Sequence, residues 1–274
     1  MRAAGDGTRM RPPGPPYLLT AVTEGRGVAV AVVGEATTAV VEMAVHGGWS
    51  SQFGDRFSAG LRLCLASPCV SIIIDLHHLD DPSGLSMPFW IAAWRQARLA
   101  QSPVRLVFCL SSTSTLGRRL RSSDGPRPGV FATAPEARIA VAVRSLQADR
   151  LQARLPPRPD RVRDVRELAE QACHLWRLPH LLDDTSLVAS ELASNAIEHA
   201  GTDFVVTVSR DAGRLHVAVQ DGASSFPRTH RAPSAGWPAP AQARGRGLLV
   251  VHAICLAWGA MPTRGGKVVW ATLT

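Results

Sequence analysis

Glu191-Leu192-Ala193-Ser194-Asn195-Ala196-Ile197-Glu198-His199-Ala200 is the stretch that decides how this chain reads. On a helix, Glu191, Asn195 and His199 recur every fourth residue and form one polar stripe. Ala189, Ala193, Ile197 and Ala200 lie opposite, small enough for close packing against a sheet. A carboxylate and a carboxamide one turn apart suit a metal-nucleotide site: the Asn amide oxygen is a hard ligand for Mg²⁺, and Glu can accept a proton or orient a nucleophile. An ordinary amphipathic helix with a solvated stripe fits the same ten residues, so the residues C-terminal to them decide between the two.

Downstream, Phe204–Ser209 and Leu215–Gln220 read as two strands joined by a turn at Asp211-Ala212-Gly213, and the second ends in Asp221-Gly222. A loop rich in Pro and Gly runs from Ala223 to Arg244, long enough to suggest a lid. Gly245-Arg246-Gly247 comes next, then an apolar helix expected over Leu248–Ala257 and a closing strand over Lys267–Leu273. Each part suits ATP. Asp221 could accept a hydrogen bond from the adenine amine, and Gly222 would let the ring approach the backbone. The glycines before a helix offer N–H donors and a dipole to phosphate.

Upstream, Pro156, Pro157 and Pro159 stiffen the chain after a short run at Leu151–Leu155, and Asp160 is a plausible N-cap. Val162, Val165, Leu168, Ala169, Ala172, Leu175 and Trp176 then recur at helical spacing, and Pro179 ends that helix. A second domain is therefore expected over 150–274.

Residues 150–274 resemble the histidine-kinase-like ATPase (GHKL, Bergerat-fold) superfamily, specifically the anti-sigma factor serine kinases. Glu191-x-x-x-Asn195-Ala196-x-x-His199-Ala200 matches the N box, and Asp221-Gly222 the first glycine box, with Ala223 where glycine is frequent. Gly245-Arg246-Gly247-Leu248 matches the second, and Trp258-Gly259 and Lys267-Val268-Val269-Trp270 match the closing elements. The resemblance implies ATP and Mg²⁺ as cofactors, Asn195 as the Mg²⁺ ligand and Glu191 as the catalytic base. Asp221 would read adenine, and the segment from Gly245 through Arg246 and Gly247 to Leu248 would hold phosphates. No phosphoacceptor-histidine helix is evident, which favours the serine-kinase branch.

The first half alternates strands with helices. Val28–Val33, Ala39–Val45, Val70–Asp75 and Arg105–Leu110 read as strands; Arg56–Ser67, Met87–Leu99 and Leu116–Arg121 read as helices. Ala134–Arg144 suits either. The alternation argues for an α/β layer with largely parallel pairing. Residues 28–145 resemble a STAS domain, the fold of anti-sigma factor antagonists, through an apolar strand, then Asp81-x-Ser83-Gly84-Leu85, then a helix. The resemblance implies Ser83 as phosphoacceptor; a turn or capping serine is the other reading. Pro82 stands where the family has a hydroxyl residue, and Pro88 is expected to delay the helix start. The fold class expected is thus an α/β STAS-like layer plus an α+β Bergerat sandwich. Residues 1–27 are expected to be an unstructured leader.

Composition narrows the function. Of 274 residues, 46% are hydrophobic and 19% charged, as in globular domains, and no uninterrupted apolar run is long enough for a membrane helix. With no apolar segment at the Gly-, Pro- and Arg-rich start, a cytoplasmic protein is expected. The net charge of +8 comes from scattered arginines, and Lys267 is the only lysine. No aromatics interleave with the arginines, so an acidic protein partner suits the charge as well as nucleic acid does. The five cysteines form no CxxC pair and read as reduced, buried thiols. His77, His78, Asp80 and Asp81 are crowded, but adjacent strand histidines point to opposite faces and should not converge on one ion.

The leading expectation is an ATP-dependent protein serine/threonine kinase of the anti-sigma type, fused to a STAS module. Its partners would be a sigma factor or a STAS-type antagonist, with an intramolecular contact favoured by the tether and a homodimer compatible with the sequence. The alternative is a non-catalytic, ATP-dependent partner-switching protein.

Overall fold

A computed structural model describes residues 16–19, 22–25, 28–100, 102–122, 125–146, 149–211, 213–227 and 247–274. Among these residues, twelve strands form two six-stranded sheets, one within the N-terminal half and one in the C-terminal half that takes its edge strand from residues 17–18. In the N-terminal half, strands β2 (Val22–Gly25), β3 (Val28–Glu35) and β4 (Val40–Gly48) are antiparallel neighbours. From β4 onward the sheet is parallel, through β5 (Ser71–Asp80), β6 (Arg105–Cys109) and β7 (Gly129–Phe131). Ile72, Ile73 and Ile74 are all buried, as a strand covered on both faces requires. Helices α1 (Ser51–Ala66), α2 (Met87–Arg98) and α3 (Thr115–Ser122) provide the crossovers. Ser50 caps α1, its hydroxyl accepting from the Phe53 N–H at 3.2 Å. Phe53, Phe57, Trp90 and Phe108 fill the core, each worth about 1.5–3 kcal/mol in apolar burial.

The ambiguous segment is helix α4 (Ala134–Leu146). Ala137 and Val141 are buried one turn apart, while Ile139 is exposed. A strand would have put Ile139 and Val141 on one face.

The second sheet runs in the order β1-β11-β12-β10-β9-β8, from β1 (Tyr17–Leu18), β8 (Asp149–Leu155), β9 (Phe204–Asp211), β10 (Arg214–Asp221), β11 (Ala257–Thr263) and β12 (Gly266–Leu273). Helices α5 (Val162–Leu175), α6 (Leu182–His199) and α7 (Gly247–Ile254) cover one face. The expected leader over 1–27 is corrected in part: Tyr17–Leu18 pairs in parallel with β11, and Val22–Gly25 pairs with β3. Tyr17 stacks on Trp270 with centroids 6.0 Å apart. Residues 1–15 of that leader lie outside the described residues. The expected helix to Ala257 also stops early. The Leu256 N–H donates to the Thr272 carbonyl at 2.9 Å, so the chain has already joined the sheet before Ala257 opens β11.

Strand alternation divides the second sheet between two cores. Leu215, Val217, Val219, Val269, Ala271 and Leu273 pack under the helices, while Ala218, Met261, Val268 and Trp270 join the core of the N-terminal half. The two halves are therefore docked through the helix-free face of the second sheet. Gly34 makes room for Met261: a Cβ there would overlap the Met261 sulfur. Polar contacts reinforce the joint. The Ala36 N–H donates to Gln220 at 3.1 Å, and Gln152 Nε2 donates to the Thr37 carbonyl at 3.1 Å. Glu42 takes Arg138 of α4 at 2.6 Å and Arg264 of the β11–β12 turn at 3.0 Å. Burial pushes the Glu42 carboxyl up, but hydrogen bonds and charge from both arginines outweigh this and lower it.

Candidate functional site

Helix α6 carries Asp183 and Asp184 in its first turn, where they complement the helix dipole. Val188, Ala189, Leu192, Ala193 and Ala196 are buried toward the sheet, and the alanines let α6 lie close over β10. This burial rotates Glu191 and Asn195 into half-buried positions at the site. His199, the third member of the expected stripe, is exposed instead.

Glu191 faces the start of α7. A Cβ on Gly247 would overlap Glu191 Oε2, so any larger residue there would have to displace this carboxylate. Leu248 is half-buried and packs against the C-terminal core. Gly245 and Arg246 lie outside the described residues. Asn195, one turn along α6, has a buried Nδ2 with no hydrogen-bond partner among the described residues. Leaving such a group unpaired costs about 1–3 kcal/mol, a penalty that a bound ligand would relieve.

Asp221 ends β10 and is buried on the helix-covered side. Its Oδ1 accepts from Lys267 Nζ at 2.9 Å and from the Ala223 N–H at 2.8 Å. Sequence reasoning placed Lys267 in the closing strand but missed this pairing. The signal was present, since the chain's only lysine stands across the β10–β12 ladder from Asp221. Thr202 was missed as well: its hydroxyl accepts from the Gly222 N–H at 2.9 Å and fixes the backbone beside Asp221.

Ser83 is exposed in the turn after β5. Helix α2 starts only at Met87, with Ser86 at its N-cap position and Pro88 in its first turn, so Ser83 lies outside that turn. Arg119 Nη1 holds the loop by donating to the carbonyls of Ser83 at 3.1 Å and Gly84 at 2.9 Å. Asp81 closes it from within, accepting from the N–H groups of Leu85 and Ser86, both at 2.9 Å. The crowded histidines do not converge: His77 bonds Asp75 at 2.6 Å, and His78 stacks on His46. No metal-holding cluster of His, Cys, Asp and Glu occurs among the described residues.

The sequence profile of a family described as Histidine kinase-like ATPase domain matches residues 155–273. Residues 155–273 are thus a domain of the histidine kinase-like ATPase type. A solved structure of an anti-sigma factor antagonist from Mycobacterium paratuberculosis is also similar to the chain. It is 16% identical with a TM-score of 0.35, covering 42% of this chain and 93% of that one. No curated protein matches.

The histidine kinase-like ATPase domain gives the site its meaning. Asn195 offers an uncommitted carboxamide, Glu191 a half-buried carboxylate, and Asp221 a second oxygen beyond the one held by Lys267. These donors fit a metal-nucleotide: an amide oxygen for a hard cation, and a fixed carboxylate acceptor for an amine. No helix among the described residues is long and apolar enough to cross a membrane.

Proposed function

We propose that the chain is an ATP-dependent protein serine/threonine kinase of the anti-sigma type, acting on a STAS-type antagonist in partner switching with a sigma factor. The observation that carries the reading is Asn195, whose buried amide nitrogen has no partner among the described residues and sits one turn from Glu191. Asn195 would hold Mg²⁺ through its amide oxygen, the ion neutralising phosphate charge when bound, and its orphaned N–H would donate to a nucleotide oxygen. Asp221 would accept from the adenine amine through the oxygen that Lys267 leaves open. Backbone N–H groups of Gly245, Arg246 and Gly247 would meet the phosphates, and Leu248 would anchor that turn in the core. Glu191 takes the proton of the acceptor hydroxyl as its oxygen bonds to the γ-phosphorus and the bond to ADP breaks.

The docking of the two halves bears on the acceptor. Contacts with the ATPase sheet lie at the β3–β4 turn, where β5 begins, whereas Ser83 follows the far end of β5. Ten residues of strand, at about 3.3 Å each, put about 30 Å between those ends. Glu191 and Asn195 lie on the opposite, helix-covered face of the ATPase sheet. Ser83 and the site thus point away from each other within one chain, and transfer to Ser83 would run between chains.

Labelled ATP and Mg²⁺ test this directly. A tagged Glu191→Gln chain mixed with wild type should acquire label on Ser83, while the tagged chain alone should not. If wild type labels neither itself nor any STAS-type antagonist, the non-catalytic switch replaces the kinase.

A further inference from the structure

The helix-free face of the ATPase sheet does not meet the N-terminal half without a gap. A cavity of about 480 Å³ lies between them, within the roughly 300–1,000 Å³ typical of small-molecule sites. Trp270, His216 and Met261 form one wall, and Val41, Leu65 and Val104 the other. It is separated from Glu191 and Asn195 by the thickness of the sheet, so the nucleotide reading does not account for it.

Two of its polar groups point to an occupant. Trp270 is 1% exposed, and its indole N–H is buried with no acceptor among the described residues. An orphaned donor in an apolar wall is a standing cost that a ligand oxygen would remove. His216 is tied through Nδ1 to the Thr272 hydroxyl at 2.9 Å, which fixes its ring in the same wall. Arg150, Arg210 and Arg214 line the cavity with Glu35 and Asp211, and Arg210 is also paired with Asp149. Arg150, whose guanidinium burial pushes down from its ordinary range, already donates to the Thr37 carbonyl beside the cavity.

We propose that this interdomain cavity is a second ligand site, for a small apolar-bodied carboxylate whose oxygen accepts from the Trp270 N–H. Both halves of the chain line it, so its occupant contacts them together and stabilises their docked arrangement. The site is independent of ATP binding.

Sodium decanoate, titrated into the full chain below its aggregation concentration, is the probe. Calorimetry should show saturable binding with a dissociation constant below a millimolar. Ala66→Phe, which places a ring in the cavity from the end of α1, should abolish it. Trp270→Phe keeps an aromatic ring but removes the N–H donor together with part of the indole's bulk, so affinity should fall at least about five-fold, the usual worth of one hydrogen bond. Circular dichroism and thermal unfolding serve as the folding control for both variants. No saturable binding to wild type, or binding undiminished in both folded variants, would overturn the proposal and leave the cavity to water.

Discussion

His216 sits on the face of β10 that docks the two halves, and its burial has a measurable consequence. Desolvation pulls its imidazole down from 6.5 to about 4, with Asp211 raising it and Arg214 lowering it further. The unfolded chain takes up this proton near pH 6.5, while the folded chain refuses it until about pH 4. Between those values the unfolded state binds more protons, so stability rises with pH. The contribution of neutral His216 is complete above pH 6.5 and is lost progressively as pH falls toward 4. Between pH 7.5 and 5.0 the linkage relation gives a loss of about 2 kcal/mol from this one group. His216→Gln keeps a polar side chain of similar reach that does not titrate. Urea unfolding at both pH values should show wild type losing about 2 kcal/mol more than His216→Gln, after subtraction of everything common to the two. Equal losses would refute the reasoning and mean that the ring is solvated in the folded chain.

The remaining predictions concern the site and the joint. Lys267→Met leaves Asp221 buried without its cation and should destabilise the protein by about 3–5 kcal/mol, read by thermal unfolding, and weaken ATP binding in parallel. Gly34→Val forces a branched side chain into the Met261 sulfur; it should cost about 1–3 kcal/mol and speed proteolysis between the halves while leaving ATP affinity intact. Glu191→Gln should bind Mg-ATP near-normally yet transfer phosphate about 10²–10⁴ times more slowly, measured by single-turnover labelling. An unchanged rate would remove Glu191 as the base.

Periodicity alone exposed most of the long elements, because α5, α6, β5, β9 and β10 each bury one regular stripe or an unbroken apolar run. Short elements escaped. Tyr17–Leu18 is a strand only because β11 offers an edge, and Gly129–Phe131 is too brief to carry a pattern. Leu248–Ala257 is apolar but for His252, so nothing local marks where α7 gives way to β11; the Thr272 carbonyl marks it, and that lies in a distant strand. At the site, the four-residue spacing put Glu191 and Asn195 together, but His199 belongs to the same stripe and faces solvent. The spacing gives a face, and only the packing of α6 on β10 says how much of that face is covered. The Lys267–Asp221 pair depends on strand register, which no single segment specifies.

Titration of Mg-ATP into the full chain, wild type against Asn195→Ala, tests the central claim most directly. Wild type should bind with one site and require Mg²⁺, and Asn195→Ala, folded by circular dichroism, should lose most of that affinity. Failure of folded wild type to bind Mg-ATP, or equal binding by both chains, would contradict a nucleotide site built around Asn195.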